Sequence, residues 1–202
     1  MEERYRSNLR HCGERPDPFK TLISCVLSQR TRDKNAEKAA EALFAEAATP
    51  SEVLNLGEAR VKRLVRCSGF YNQKARYIMS ICETLIKDFG DRIPDERECL
   101  LSLPGVGYKT ADIVLSHAFD EPAIAVDVHV ERVSKRLGLV ESEADPEEVK
   151  KALEMLVPRE KLRFVDSAFV LLGKEYCGSR GPRCIECFLN PLCEYPRWED
   201  KK

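Results

Sequence analysis

Helix-start signals recur along the whole 202-residue chain while alternation of apolar and polar residues hardly occurs, and this contrast limits the fold more than any other feature. Asp17-Pro18 reads as an N-cap followed by proline at the first helical position, where the missing N–H costs nothing. Phe19, Leu22, Ile23, Val26 and Leu27 then fall on one face at helical spacing. Further starts stand at Asp33, at Thr49-Pro50-Ser51-Glu52 as a capping box, at Asn72, at Asp95 with Glu98, and at Asp145-Pro146 with Glu148. Gly90 and Gly138 read as helix C-caps. Only Ala125 to Val130 alternates, and Val133 and Leu137 beyond it continue a helical period. The pattern predicts an all-α fold of about nine or ten short helices.

With 43% hydrophobic and 33% charged residues, the chain has the composition of an ordinary globular protein. No run approaches the ~20 apolar residues that span a bilayer, and MEERYRSNLR lacks the apolar centre of a signal peptide. These features predict a soluble intracellular protein with no membrane partner. The net charge of -1 gives no global basic field, but its distribution is uneven. Arg60, Lys62, Arg63, Arg66, Lys74 and Arg76 form a stretch without an acid, whereas Glu141 to Glu148 holds five acids and no base. Such runs serve either as two solvated helix faces or as one face that meets an anion and another that repels it.

Nine cysteines do not suit a fully paired disulfide framework, and four of them lie within seventeen residues as Cys177-x6-Cys184-x2-Cys187-x5-Cys193. Kept reduced, that set is a soft ligand group for iron–sulfur or for zinc. Zinc sites more often use two short Cys-x2-4-Cys knuckles, and this chain has one.

Leu103-Pro104-Gly105-Val106-Gly107-Tyr108-Lys109-Thr110 lies between the helix expected from Asp95 and one in which Ala111, Val114, Leu115 and Ala118 share a face. Two glycines permit a tight hairpin, and the first amides of the second helix then point outward at the positive end of its dipole. A phosphate can be held there without a basic side chain. Asp127 follows eighteen residues after Lys109, where it can cap the helix running to Leu137.

This hairpin, Lys109, Asp127 and the cysteine spacing, together with Asp17-Pro18-Phe19, Gly69-Phe70-Tyr71-Asn72 and Ala123 to His129, resemble the endonuclease III family of DNA glycosylases in the helix–hairpin–helix superfamily. The resemblance runs from about Asp17 to Cys193. It implies a six-helix domain over 19–121, and a second helical lobe from 1–18 and 122–202 in which the loop 177–193 carries a [4Fe–4S] cluster on Cys177, Cys184, Cys187 and Cys193. It implies base excision repair by a monomer acting on duplex DNA with an oxidised pyrimidine or an abasic site. Lys109 would be the nucleophile and Asp127 the essential carboxylate, with Leu103, Gly105, Val106 and Gly107 on a DNA phosphate. Arg180 and Arg183 can clamp phosphates, and His129 is expected to pack or cap.

Three positions depart from the family pattern. Arg30 aligns with a glutamine that fills the gap left by the flipped nucleotide, with Gln29 one residue earlier. Phe70 stands where an aliphatic wedge is common, and Asp112 where an uncharged amide is frequent, adding negative charge near Lys109. Two alternatives stand beside the bifunctional glycosylase and lyase. One is a monofunctional mismatch glycosylase for thymine or adenine, and the other a non-enzymatic iron–sulfur module on DNA. Neither needs the pairing of Lys109 with Asp127.

Overall fold

A computed structural model describes residues 2–5 and 15–195, and these are helical with no strand among them. The α-helices are α1 (Glu2–Tyr5), α2 (Pro18–Ser28), α3 (Asp33–Phe44), α4 (Pro50–Leu56), α5 (Glu58–Leu64), α6 (Tyr71–Phe89), α7 (Arg97–Leu101), α8 (Tyr108–Ala118), α9 (Val128–Leu137), α10 (Pro146–Leu156) and α11 (Leu162–Glu175). Short 3-10 turns occupy Arg159–Lys161 and Asn190–Leu192. No described helix is long and apolar enough to cross a membrane.

The chain divides into two compact units. One is Arg15–Glu121, and the other gathers the described residues before and after it. In the first, α2 packs on α3, α6 and α8. Leu22, Ile23, Val26 and Leu27 are completely buried along its inner face, so truncating one of these leucines should remove about 2–5 kcal/mol. In the second, α9 and α11 form the centre, where Val130, Val133, Phe169 and Leu172 pack with Leu153 of α10 and Tyr5 of α1.

Most of the local start signals are realised. Asp17 Oδ1 accepts the Lys20 amide at 2.8 Å. The capping boxes at Thr49 and Asp145 are both complete, and Gly90 and Gly138 end their helices in the left-handed conformation. The start at Asp33 is met, since Asp33 is the first residue of α3 with Arg32 at the cap position. Two expectations fail. Asp95 does not cap α7, which begins after Glu96 without a side-chain cap. Asn72 is likewise inside its helix, because α6 starts one residue earlier on a left-handed Phe70 (φ 59°). The chain enters α6 from a turn fixed by tertiary hydrogen bonds, the Gly69 amide donating to Thr31 Oγ1 at 3.0 Å, and these outweigh the local capping preference of asparagine.

Candidate active site

The hairpin between α7 and α8 has the geometry its glycines suggest. Gly105 sits at φ +76°, and a Cβ there would come within 2.5 Å of the Tyr77 ring, so both backbone and space demand glycine. Its carbonyl accepts the side-chain amide of Gln29 at 2.9 Å, which ties the tip to the end of α2. Leu103 and Val106 are buried, so their side chains fill the hairpin and only their backbone is available to a ligand. Gly107 caps α8 with no side chain to bond the first amides of the helix. Those amides carry the partial positive charge that suits an anion.

Lys109 is exposed in the first turn of α8. Cys25 of α2 lies within its electrostatic reach. Burial pushes that thiol up to about 11, with the Lys109 charge acting the other way. The expected effect of Asp112 on this site needs correction. Asp112 is 2% exposed and receives Arg97 Nε at 3.0 Å and Nη2 at 3.1 Å, so its charge is neutralised inside the hairpin frame. The same guanidinium lies 4.8 Å from the Tyr108 ring centroid and so braces α7 against α8.

The two departures at positions 30 and 70 meet. Arg30 (φ 52°) and Phe70 (φ 59°) both hold left-handed backbones, and the Arg30 guanidinium lies 4.7 Å from the Phe70 ring centroid. Phe70 is 55% exposed, with Arg30 exposed beside it, whereas Gln29 is half-buried on the hairpin.

The basic stretch is less uniform than its sequence. Arg60 is bonded to Glu46, Lys62 to Glu58 four residues before it, and Lys74 is buried rather than displayed. Arg63, Arg66 and Arg76 are exposed.

In the second unit, Asp127 caps α9. Its Oδ1 accepts the amides of His129 and Val130 at 2.8 and 2.9 Å. His129 packs against Gly173, where a Cβ would meet its ring at 2.6 Å, and its Nδ1 faces Arg132 Nη2 at 2.9 Å. Burial holds its pKa below the usual histidine value, against the pull of Asp127. Beneath this turn lies Asp166 of α11, a carboxyl that sequence reasoning missed. It accepts from Ser167 Oγ at 2.9 Å and from the Ala125 amide, and burial pushes it up to about 6, with the charge of Asp127 adding to the shift. The signal was present as a lone acid inside the apolar run Phe164-Val165-Asp166-Ser167-Ala168-Phe169.

Cys177, Cys184, Cys187 and Cys193 line a single cavity with Arg136, Tyr176 and Tyr195. Among the described residues, no three His, Cys, Asp or Glu side chains are close enough to share one metal ion. Four thiols around one cavity are a donor set of the kind that zinc or an iron–sulfur cluster takes. Burial and then the neighbouring cysteines raise the Cys184 thiol above its usual value, with Arg136 acting the other way. Arg136 Nη1 donates to Cys177 Sγ at 3.3 Å. Arg183 donates to Glu186 and to the Glu175 carbonyl and lies over the Tyr176 ring, so it braces the loop, while Arg180 is exposed.

Residues 23–159, more than half of the chain, match the HhH-GPD superfamily base excision DNA repair protein family. Endonuclease III of Thermotoga maritima is 46% identical over 185 residues, covering 92% of this chain and 86% of that protein. A trapped endonuclease III–DNA covalent intermediate superposes with a TM-score of 0.88 at 34% identity, covering 99% of this chain and 93% of that one. A thermostable thymine-DNA glycosylase superposes with a TM-score of 0.85 at 27% identity, over 92% and 87% of the two chains. Shared sequence over nearly the whole length and a shared helical frame lead to one conclusion: the chain belongs to the endonuclease III family, within the HhH-GPD superfamily of base excision DNA repair proteins.

Proposed function

We propose that this protein excises oxidised pyrimidines from duplex DNA and then cleaves the strand, with Lys109 as nucleophile and Asp127 as its partner carboxylate. The observation that carries the reading is an exposed Lys109 directly after a hairpin whose tip is fixed by Gln29 and Tyr77. Phosphate contacts to the hairpin amides would set the register of the DNA. Base excision with strand cleavage is the activity of the family.

The chemistry assigns each group a task. The target nucleotide leaves the stack, because its sugar is otherwise out of reach. Neutral Lys109 Nζ forms a bond to C1′, and the base departs with the electrons of the glycosidic bond. Asp127 stabilises the positive charge that develops at the sugar and accepts the proton lost by the attacking nitrogen. Opening of the C1′–O4′ bond gives an imine. Loss of a C2′ proton then expels the 3′-phosphate, and water hydrolyses the imine to release Lys109. Asp127 performs this role while its Oδ1 caps α9, which fixes the carboxylate in place.

Arg30 and Phe70 would occupy the space vacated by the flipped nucleotide, while Gln29 positions the hairpin; Arg180, with Arg63 and Arg66, would meet backbone phosphates. Cys177, Cys184, Cys187 and Cys193 would hold a [4Fe–4S] cluster, which when bound supplies iron–thiolate bonds that order residues 177–193. Oxidised-base specificity, a monomeric state and an intracellular site of action belong to the same proposal.

A monofunctional thymine glycosylase is the second reading, favoured by the likeness to the thymine-DNA glycosylase. Borohydride reduction on duplex DNA containing an abasic site separates the two. The bifunctional reading expects a covalent complex that disappears in Lys109→Gln while DNA binding persists. A wild-type protein that forms none is monofunctional.

A further inference from the structure

We propose that Lys74 is a positioning residue, a buried ammonium that clamps the turn carrying Arg30 to the turn carrying Phe70 so that the two side chains enter the duplex as one stacked unit. The proposal rests on the assignment of Arg30 and Phe70 as gap-occupying residues given above.

Lysine is almost never fully buried unless it is paired. Lys74, in the first turn of α6, is 2% exposed. Its Nζ donates to the Leu27 carbonyl at 2.7 Å, to Thr31 Oγ1 at 2.7 Å and to Ser68 Oγ at 2.8 Å. An ammonium has three donors, and each has an acceptor here, none of them charged. Burial alone lowers its pKa to about 8, which shows how unfavourable the site is for a cation. For stability alone, methionine would fill this volume without that penalty.

The placement of the three acceptors explains the lysine. Leu27 and Thr31 bracket Gln29 and Arg30, and Ser68 immediately precedes Gly69-Phe70. One cation thus joins both turns from below. Ser68 Oγ passes a hydrogen bond on to the Leu27 carbonyl at 2.9 Å, and the Gly69 amide donates to Thr31 Oγ1 at 3.0 Å, so the seam is continuous. It is also tight, since a Cβ on Gly69 would meet the Arg30 carbonyl at 3.1 Å.

Each turn holds a non-glycine residue in the left-handed region, a conformation that persists only where its surroundings over-determine it. The polar clamp supplies that constraint beneath, and the Arg30–Phe70 cation–π contact joins the turns above. A displayed pair held this way inserts without first losing the freedom of two independent loops.

The test compares wild type with Lys74→Met on two substrates: a paired oxidised pyrimidine in duplex DNA, and an abasic site in a bulge, where little stacking must be broken. A 2-aminopurine beside the target reports unstacking on binding. The expected result is a loss of about tenfold or more on the paired substrate and loss of the fluorescence rise, with trapping on the bulge within about threefold of wild type. Equal loss on both substrates, or an unchanged fluorescence rise, overturns the proposal. Should Lys74→Met fail to fold, Thr31→Val removes an acceptor of the same clamp and must give the same split between substrates. If wild type traps neither substrate, the functional reading falls, and the fluorescence response of the two proteins on DNA still decides whether Lys74 positions the pair.

Discussion

Asp166→Asn should stabilise the protein, and by an amount that depends on pH in a defined direction. The carboxyl is 5% exposed and pushed from an ordinary 3.8 up to about 6, mainly by burial. Because the folded state holds the proton more tightly than the unfolded chain, the contribution of Asp166 is fully present below about pH 4 and is lost as pH rises through 6. A shift of about two units corresponds to roughly 3 kcal/mol in all, of which about 1 kcal/mol falls between pH 5 and 7. Asparagine keeps an acceptor for the Ala125 amide and the Ser167 hydroxyl while abolishing the titration, so it stands in for the protonated acid. The assay is urea unfolding of both proteins at 25 °C and at pH 5, 6 and 7. The stability difference in favour of Asp166→Asn should widen by about 1 kcal/mol over that range, equivalent to roughly 2–4 °C in Tm. A difference that stays constant, or that narrows with rising pH, would refute the reasoning, because it would mean that Asp166 is ionised in the fold throughout.

Asp127→Asn should melt with wild type, since asparagine and aspartate cap comparably, yet lose at least about 100-fold in base excision; near-normal excision would remove Asp127 from the chemistry. Asp127→Ala should in addition lose about 1 kcal/mol of stability with the cap. Reversing Arg63 and Arg66 to glutamate should weaken binding to every DNA sequence and make its salt dependence shallower by up to about two units of slope, whereas reversing Glu141 and Glu143 should not weaken it. Purified protein should contain about four irons, and Cys184→Ser should lose them together with the order of residues 177–193; one zinc per chain with or without oxygen would contradict the cluster assignment.

The features legible in the sequence are those settled by neighbours along the chain. Asp17, Thr49 and Asp145 cap helices whose first amides lie two or three residues away, so local chemistry suffices to read them. The hairpin reads from Gly105, although the ring of Tyr77 that makes glycine obligatory there comes from another helix. Asn72 misleads because the entry into α6 is set by Thr31, which is remote in sequence. Lys74 misleads more seriously. As one of six bases in a stretch without acids it looks like surface charge, and nothing local shows that three neutral acceptors from other segments enclose it. Asp112 fails for the same reason, because its charge is decided by Arg97 across the hairpin. Charge is read easily from a sequence, but whether it is displayed or buried depends on packing between distant segments.

The hairpin of Leu103 to Lys109 is braced from three sides, by the Gln29 amide on its tip, the Tyr77 ring beneath Gly105 and the Arg97–Asp112 pair between its helices. A protein that looks for rare lesions meets an enormous excess of intact sites, about 10⁶–10⁹ in a genome, and must release nearly all of them quickly. A grip assembled anew at each stop would slow that search. On the proposed function, a hairpin with its amides already aimed would hold successive phosphates by electrostatics alone and let go as readily, leaving recognition to the slower opening of the base stack. Bracing at this one loop would then favour a fast survey of DNA, with selectivity in the step where a nucleotide leaves the helix.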